Sequence, residues 1–263
     1  MQRLDVDGTT LAYEVHGTGP PILLVHGTAA RLWGGLVAAL EPLGRVVEYD
    51  RRSFGASAGP TPPSLATHRE DAAALLRAIA GEPAVVVGWS MGGVISLDLA
   101  VAHPDLVRGL VLIEPPLHLK RHPAPRMLRA IAGAAVLSRV GDDWAGARVF
   151  GSWALGRRDG PGDLARLPPE WVAVLRANAT AIVGELRLGT GEHVREADLG
   201  RVRAPTVVLQ GAESDVLYER AAQRIARAVP GATLRVVDGT GHLLHADRPG
   251  VVAEAVRAAA SAP

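Results

Sequence analysis

Short, nearly continuous runs of Val, Ile and Leu recur along this chain, each followed by a longer stretch with helical spacing. That alternation admits few architectures. The runs Ile22–Val25, Val46–Tyr49, Val85–Val87, Leu110–Ile113, Thr206–Leu209 and Leu234–Val237 offer little polar face for solvent. Strands of that kind belong to a mostly parallel sheet with helices on both sides. Two earlier runs, Arg3–Val6 and Leu11–Val15, flank Asp7-Gly8 and read as an antiparallel hairpin. The expectation is an α/β fold with an eight-stranded, mostly parallel sheet. Helical patterns at Trp33–Leu43, Ser64–Ala80, Met91–Ala102, Glu219–Val229 and Val251–Ala260 supply the flanking layers.

One interval breaks this rhythm. From Leu117 to about Arg203 no good strand occurs, only helical patterns separated by breaks such as Gly160-Pro161-Gly162 and Pro168-Pro169. It reads as a helical cap, residues 117–203, inserted into a core made of residues 1–116 and 204–263. Trp144, Phe150, Trp153 and Trp171 fall in it. Core packing accounts for such aromatics; the functional alternative is that they wall an apolar substrate pocket.

Composition removes several classes of function. The 263 residues include no Cys, which excludes a disulfide framework, a thiolate zinc site and a Cys nucleophile. With 28 basic and 27 acidic side chains the net charge is +1, which leaves no electrostatic footprint for nucleic acid. The first eight residues lack the apolar stretch of a signal peptide, and no run is long enough for a membrane-spanning helix. The expected setting is therefore cytoplasmic, with a small-molecule substrate and no nucleic-acid or membrane partner. The oligomeric state is not legible.

Chemistry concentrates at Val85-Val86-Val87-Gly88-Trp89-Ser90-Met91-Gly92-Gly93, an apolar run, then Gly-x-Ser-x-Gly, then a helical pattern. A serine on so sharp a strand-to-helix turn is exposed, and small residues on either side let the backbone pass closely. The helix that starts there directs free N–H groups at developing negative charge. Gly55-Ala56-Ser57-Ala58-Gly59 has the same letters but lies in a loop before Pro60-Thr61-Pro62-Pro63, which cannot open a helix directly. Ser90, not Ser57, is the candidate nucleophile.

A serine hydroxyl needs a base. His242, in the glycine-rich loop after the last strand, is the candidate, and His245 is its one serious rival. His16, His103, His118, His122 and His193 occupy ordinary turn, helix-end or insertion positions. The third group is a carboxylate that orients the imidazole. Asp215, just past Thr206–Leu209, gives the order Ser90, Asp215, His242.

The motifs together resemble the α/β-hydrolase superfamily, in its cap-bearing serine-hydrolase branch. They are His26-Gly27 after a strand, the segment Asp50 to Ser57, the turn at Ser90, Gly211 to Asp215, and Gly241-His242. The resemblance implies the α/β-hydrolase fold. It further implies oxyanion-binding N–H groups from Thr28 and Met91, a structural role for His26, and no cofactor or metal. One departure leaves the acid open. The strand after the turn ends Ile113-Glu114-Pro115-Pro116, and some superfamily members, certain lactone hydrolases among them, take their acid from that strand end. Asp215 and Glu114 therefore compete for His242.

The activity these residues imply is two-step acyl transfer on a carboxylic ester or lactone of a small, largely apolar molecule. Trp89, Trp144, Phe150, Trp153 and Trp171 are the candidate substrate contacts. Carbon–carbon hydrolase, lyase, thioesterase or acyltransferase chemistry would use the same residues, and a non-catalytic binding protein could keep the fold.

Overall fold

The computed structural model describes residues 1–57, 59–62, 64–119, 124–158, 160–162 and 164–261. His122 and Ala58 lie outside them. Eight strands form one sheet in the order β1-β2-β4-β3-β5-β6-β7-β8. They are β1 Gln2–Val6, β2 Thr9–His16, β3 Pro21–Val25, β4 Arg45–Tyr49, β5 Ala84–Trp89, β6 Val107–Ile113, β7 Thr206–Gly211 and β8 Thr233–Val237. The β1–β2 and β2–β4 pairs are antiparallel. The remaining pairs are parallel. β3 and β5 are buried at every residue, the burial expected of strands with helices on both faces.

The sheet is the α/β-hydrolase sheet the sequence implies. Helices α1 Leu36–Leu40, α2 Leu65–Ile79 and α3 Met91–Ala102 follow β3, β4 and β5. Between β6 and β7 come only helices among the named elements: α4 Pro125–Arg139, α5 Asp143–Ala154, α6 Pro169–Ala177, α7 Ala179–Glu185 and α8 Glu196–Leu199. After β7 come α9 Val216–Ala228, α10 Leu244–Asp247 and α11 Pro249–Ser261. None of the described helices is long and apolar enough to cross a membrane. Two apolar clusters lie against the sheet. One joins Leu23, Val25 and Val86 to α2 and α3; the other joins Leu24, Val87 and Ile113 to α1 and α11.

Among the polar contacts that tie the helical insertion to the sheet's loops, two involve the loop after β4. Arg51, just after β4, forms a fully buried ion pair with Glu185 at the end of α7, and its second guanidinium nitrogen lies 3.0 Å from the other carboxylate oxygen. Burial works against ionising Glu185, but the charge of Arg51 and a contact with His68 hold its carboxyl well below the usual range. Asn178, between α6 and α7, accepts the Gly55 N–H at 2.7 Å. Ser57 is equally occupied. Its hydroxyl donates to the Asp50 carbonyl at 2.5 Å and accepts the Ala12 N–H at 2.9 Å. It is a structural serine holding the loop to β2.

Candidate active site

The strand–turn–helix at Ser90 is dictated by steric limits. Ser90 sits at φ 54°, ψ −124°, in a region that residues with a Cβ rarely occupy. Its N–H is held by the Ile113 carbonyl at 2.8 Å, and its own carbonyl accepts the N–H of Gly93 at 2.8 Å. A β-carbon at Gly92 would lie 2.0 Å from the Val25 carbonyl oxygen, and one at Gly88 would lie 2.5 Å from the Gly92 oxygen. Both glycines flanking Ser90 in the motif are required by backbone approach. Met91 opens α3, so its N–H has no acceptor within the helix. Thr28, just after β3, lines the same cavity as Ser90 and Met91.

His242 is positioned from several sides. Its backbone carbonyl accepts the Trp89 indole N–H at 2.8 Å. Tyr218, near the start of α9, stacks on its ring at 4.2 Å with an interplanar angle of 23°. Trp153 stacks in turn on Tyr218, and Phe150 meets Trp153 at a tilt of 50°, so a line of aromatic rings runs from α5 to the histidine. Burial raises the Tyr218 phenol well above its ordinary value, reinforced by the charges of Glu114 and Asp215. Tyr218 is therefore a neutral ring.

The carboxylate facing His242 is Glu114, 2.7 Å from Nδ1. Glu114 is fully buried at the end of β6, with φ 48°. Its other oxygen accepts the Gly211 N–H at 2.7 Å. Each carboxylate oxygen thus has a hydrogen-bond partner, as full burial of a polar side chain requires. Of the two competing carboxylates, the structure brings Glu114 to His242 and places Asp215 at a helix end. Asp215 is the N-cap of α9, and its side chain accepts the Leu217 N–H at 2.9 Å. That role uses its carboxylate on a helix end, where Asp is a preferred residue.

The other histidines are placed elsewhere. His245 donates from Nε2 to the Leu32 carbonyl at 2.9 Å and packs against Trp89 at 4.4 Å. Burial pushes its imidazole down to about 3, so it is neutral. His26 accepts the Arg51 N–H on Nε2 at 2.9 Å, and its Nδ1 lies 2.7 Å from the Gly27 carbonyl. Burial, then the charge of Arg51, drives its imidazole well below the ordinary value. These contacts join the turn after β3 to the loop after β4. His16 lies 3.1 Å from Glu48, away from Ser90.

Two cavities open at Ser90. The first includes His242, Trp89, Ala147, Leu164, Leu175 and Ile182 in its wall. The second includes Leu119, Met127, Ile131, Trp153, Leu186 and Tyr218. Thr28, Ser90 and Phe150 belong to both. Trp89, Phe150 and Trp153 accordingly lie where substrate contacts are expected. Trp144 and Trp171 do not. Trp144 faces an outer groove with Arg176 over its ring at 5.9 Å, and Trp171 packs near Gly34. Sequence reasoning alone misses Tyr218, because it begins this helix at Glu219. The spacing of Leu217, Tyr218, Ala221, Ala222 and Ile225 along one buried face is the signal that could have found it.

A mostly parallel sheet with a serine turned out at the end of β5, and a histidine loop after β8, define the α/β-hydrolase architecture. Residues 22–255 match the model of the alpha/beta hydrolase family, and the chain belongs to that family. Among curated relatives, a pimeloyl-[acyl-carrier protein] methyl ester esterase of Vibrio atlanticus is 26% identical over 240 residues, covering 89% of this chain and 91% of that protein. An uncharacterized hydrolase, YraK of Bacillus subtilis, is 40% identical over 123 residues, a match spanning 43% of either chain. Among solved structures, a hydrolase from Pseudomonas aeruginosa PA01 superposes with a TM-score of 0.82 at 27% identity, covering 99% of this chain and 98% of that one. Est816, described as an N-acyl homoserine lactone degrading enzyme, gives a TM-score of 0.77 at 26% identity, covering 97% and 99%.

Proposed function

We propose that this chain is a serine hydrolase that cleaves carboxylic esters or lactones through an acyl-enzyme, with Ser90 as nucleophile, His242 as base and Glu114 as the orienting acid. One observation carries the reading. Ser90 and His242 face one apolar cavity, and the far nitrogen of that histidine is bonded to a fully buried carboxylate at 2.7 Å.

In this scheme Ser90 Oγ bonds to the carbonyl carbon while its proton passes to His242 Nε2. Glu114 holds the Nδ1–H tautomer and faces the imidazolium that results. The Thr28 and Met91 N–H groups donate to the oxyanion. Losing one such donor typically costs on the order of 10²–10³ in rate. Collapse breaks the bond to the alkoxy oxygen, which takes the proton from His242 and leaves. Water then attacks the acyl-enzyme with the same histidine as base, giving the acid and free Ser90. The ester- and lactone-cleaving relatives support the reaction class, and the apolar walls support a largely apolar substrate.

The test is labelling with a fluorophosphonate, in which Ser90 Oγ displaces fluoride at phosphorus. Wild type should be modified at Ser90, and Ser90→Ala should be neither labelled nor active on a chromogenic ester and lactone panel. Labelling that survives Ser90→Ala defeats the assignment. Ser57→Ala should still be labelled.

A further inference from the structure

The two cavities share Thr28, Ser90 and Phe150, and His242 belongs to only one of them. This asymmetry assigns the two arms of a substrate, given the serine-hydrolase reading above. The carbonyl carbon must sit at Ser90, where the cavities join. The leaving oxygen must sit within hydrogen-bond reach of His242, because it departs with that proton. The group attached to it is therefore directed into the cavity that contains His242. The acyl chain, on the other side of the carbonyl, is directed into the cavity bounded by Met127, Ile131 and Trp153.

Neither cavity has an Asp, Glu, Lys or Arg in its wall among the described residues. The polar atoms available there, apart from the reacting Ser90 and His242, come from Thr28, Thr190, the backbone and the Trp and Tyr side chains. A charged substituent on either arm would lose its hydration without a charged partner.

We propose that the substrates are neutral, open-chain esters apolar on both sides, with the alkoxy group in the His242 cavity between α5, α6 and α7, and the acyl chain in the α4-side cavity beneath Trp153. A small-ring lactone fits this arrangement poorly. Its ring joins the acyl and alkoxy sides within a few bonds, so the two arms cannot diverge from Ser90 into separate cavities.

The experiment varies one arm at a time. One ester series keeps a fixed alcohol and lengthens the acyl chain from acetyl to octanoyl. The other keeps a butanoyl group and lengthens the alcohol from ethyl to octyl. Wild-type kcat/KM should rise in both series by up to about four-fold per methylene, the gain expected from burying one, until each cavity is filled. Ile131→Trp and Leu164→Trp each narrow one cavity at a half-buried position. Ile131→Trp should lower the octanoyl-to-acetyl ratio at least ten-fold and move the octyl-to-ethyl ratio less than two-fold. Leu164→Trp should do the reverse. An omega-carboxylate on the acyl chain should lower kcat/KM at least a hundred-fold, and a γ-lactone should react more slowly than its open-chain ester.

Interchanged effects of the two variants overturn the assignment of arms. A faster lactone, or a tolerated carboxylate, overturns the substrate class. Fluorophosphonate labelling of each variant separates these outcomes from misfolding and from failure of the underlying reading. If Ser90 is labelled and no ester in either series is cleaved, the substrate proposal fails alone. If Ser90 is not labelled in wild type, the serine-hydrolase reading fails first.

Discussion

The ends of β6 and β7 lie side by side in the sheet, and each is followed by a carboxylate, yet the two are used differently. Glu114 stands directly at the end of β6, in a left-handed conformation, with one oxygen on Gly211 and the other on His242. Asp215 lies four residues past Gly211 and caps α9. A carboxylate's task follows from which donors reach its oxygens. Glu114 is sealed between two strands' ends, where the Gly211 N–H and an imidazole converge. Asp215 meets the free N–H groups of a helix and is occupied by them. The end of β7 still serves the histidine, but with an aromatic face, because the cap aligns α9 so that Tyr218 stacks on His242.

The largest expected effect tests this contrast directly. Glu114→Gln should lower kcat by about 10⁴, the scale of an aspartate-to-asparagine change in a serine-protease triad, with little change in KM. Asp215→Asn should stay within three-fold of wild type, since Asn is also a good cap. The opposite ranking in steady-state kinetics would return the acid's role to Asp215. Next in size is the aromatic face. Tyr218→Leu should reduce kcat by about ten- to hundred-fold through misplacement of the histidine. Tyr218→Phe should retain most activity, because the hydroxyl makes only a 3.4 Å contact with the Ala154 carbonyl.

The histidine loop offers a third test, by stability. His245 is held down to about 3 by burial, against about 6.5 for an unfolded histidine. Its folded form binds fewer protons, so its contribution is fully present above pH about 6.5 and is lost as pH falls toward 3. The slope from this group is up to about 1.4 kcal/mol per pH unit in that window. Urea midpoints should fall accordingly between pH 7 and pH 4, and a pH-flat midpoint would contradict a neutral, buried His245. The smallest effect is the cap itself. Asp215→Ala should cost about 1 kcal/mol in urea unfolding while leaving kcat within three-fold.

The sheet was legible because both-face burial leaves nearly continuous apolar runs, and all eight predicted strands occur. The turn at Ser90 was legible for a different reason. Its flanking glycines are forced by backbone contacts, so the motif carries its own geometry. The carboxylate partner of His242 was legible only as a choice between Asp215 and Glu114, because that choice depends on where a helix begins. Starting that helix at Glu219 left Asp215 free to bend toward His242, whereas the actual start at Val216 commits it as a cap. The pocket aromatics were legible only in part. Phe150 and Trp153 fall on the inner side of α5, while Trp144, on the same helix, faces outward. The pattern marks them as aromatic, but the packing of α4, α6 and α7 around α5 decides which way each faces.

The buried pair between Arg51 and Glu185 bears on how freely such insertions can be exchanged. Removing either partner leaves the other charge in a dry interior, a loss typically of about 3–5 kcal/mol, whereas replacing both with apolar residues can be neutral. A recombinant in which residues 117–203 came from a relative lacking the glutamate would therefore strand Arg51 beneath its new helices. The loop after β4 and the end of α7 have to be inherited together, although 134 positions separate them in the chain. Shuffling that respects this linkage can vary the walls of both cavities while keeping the sheet's loops intact.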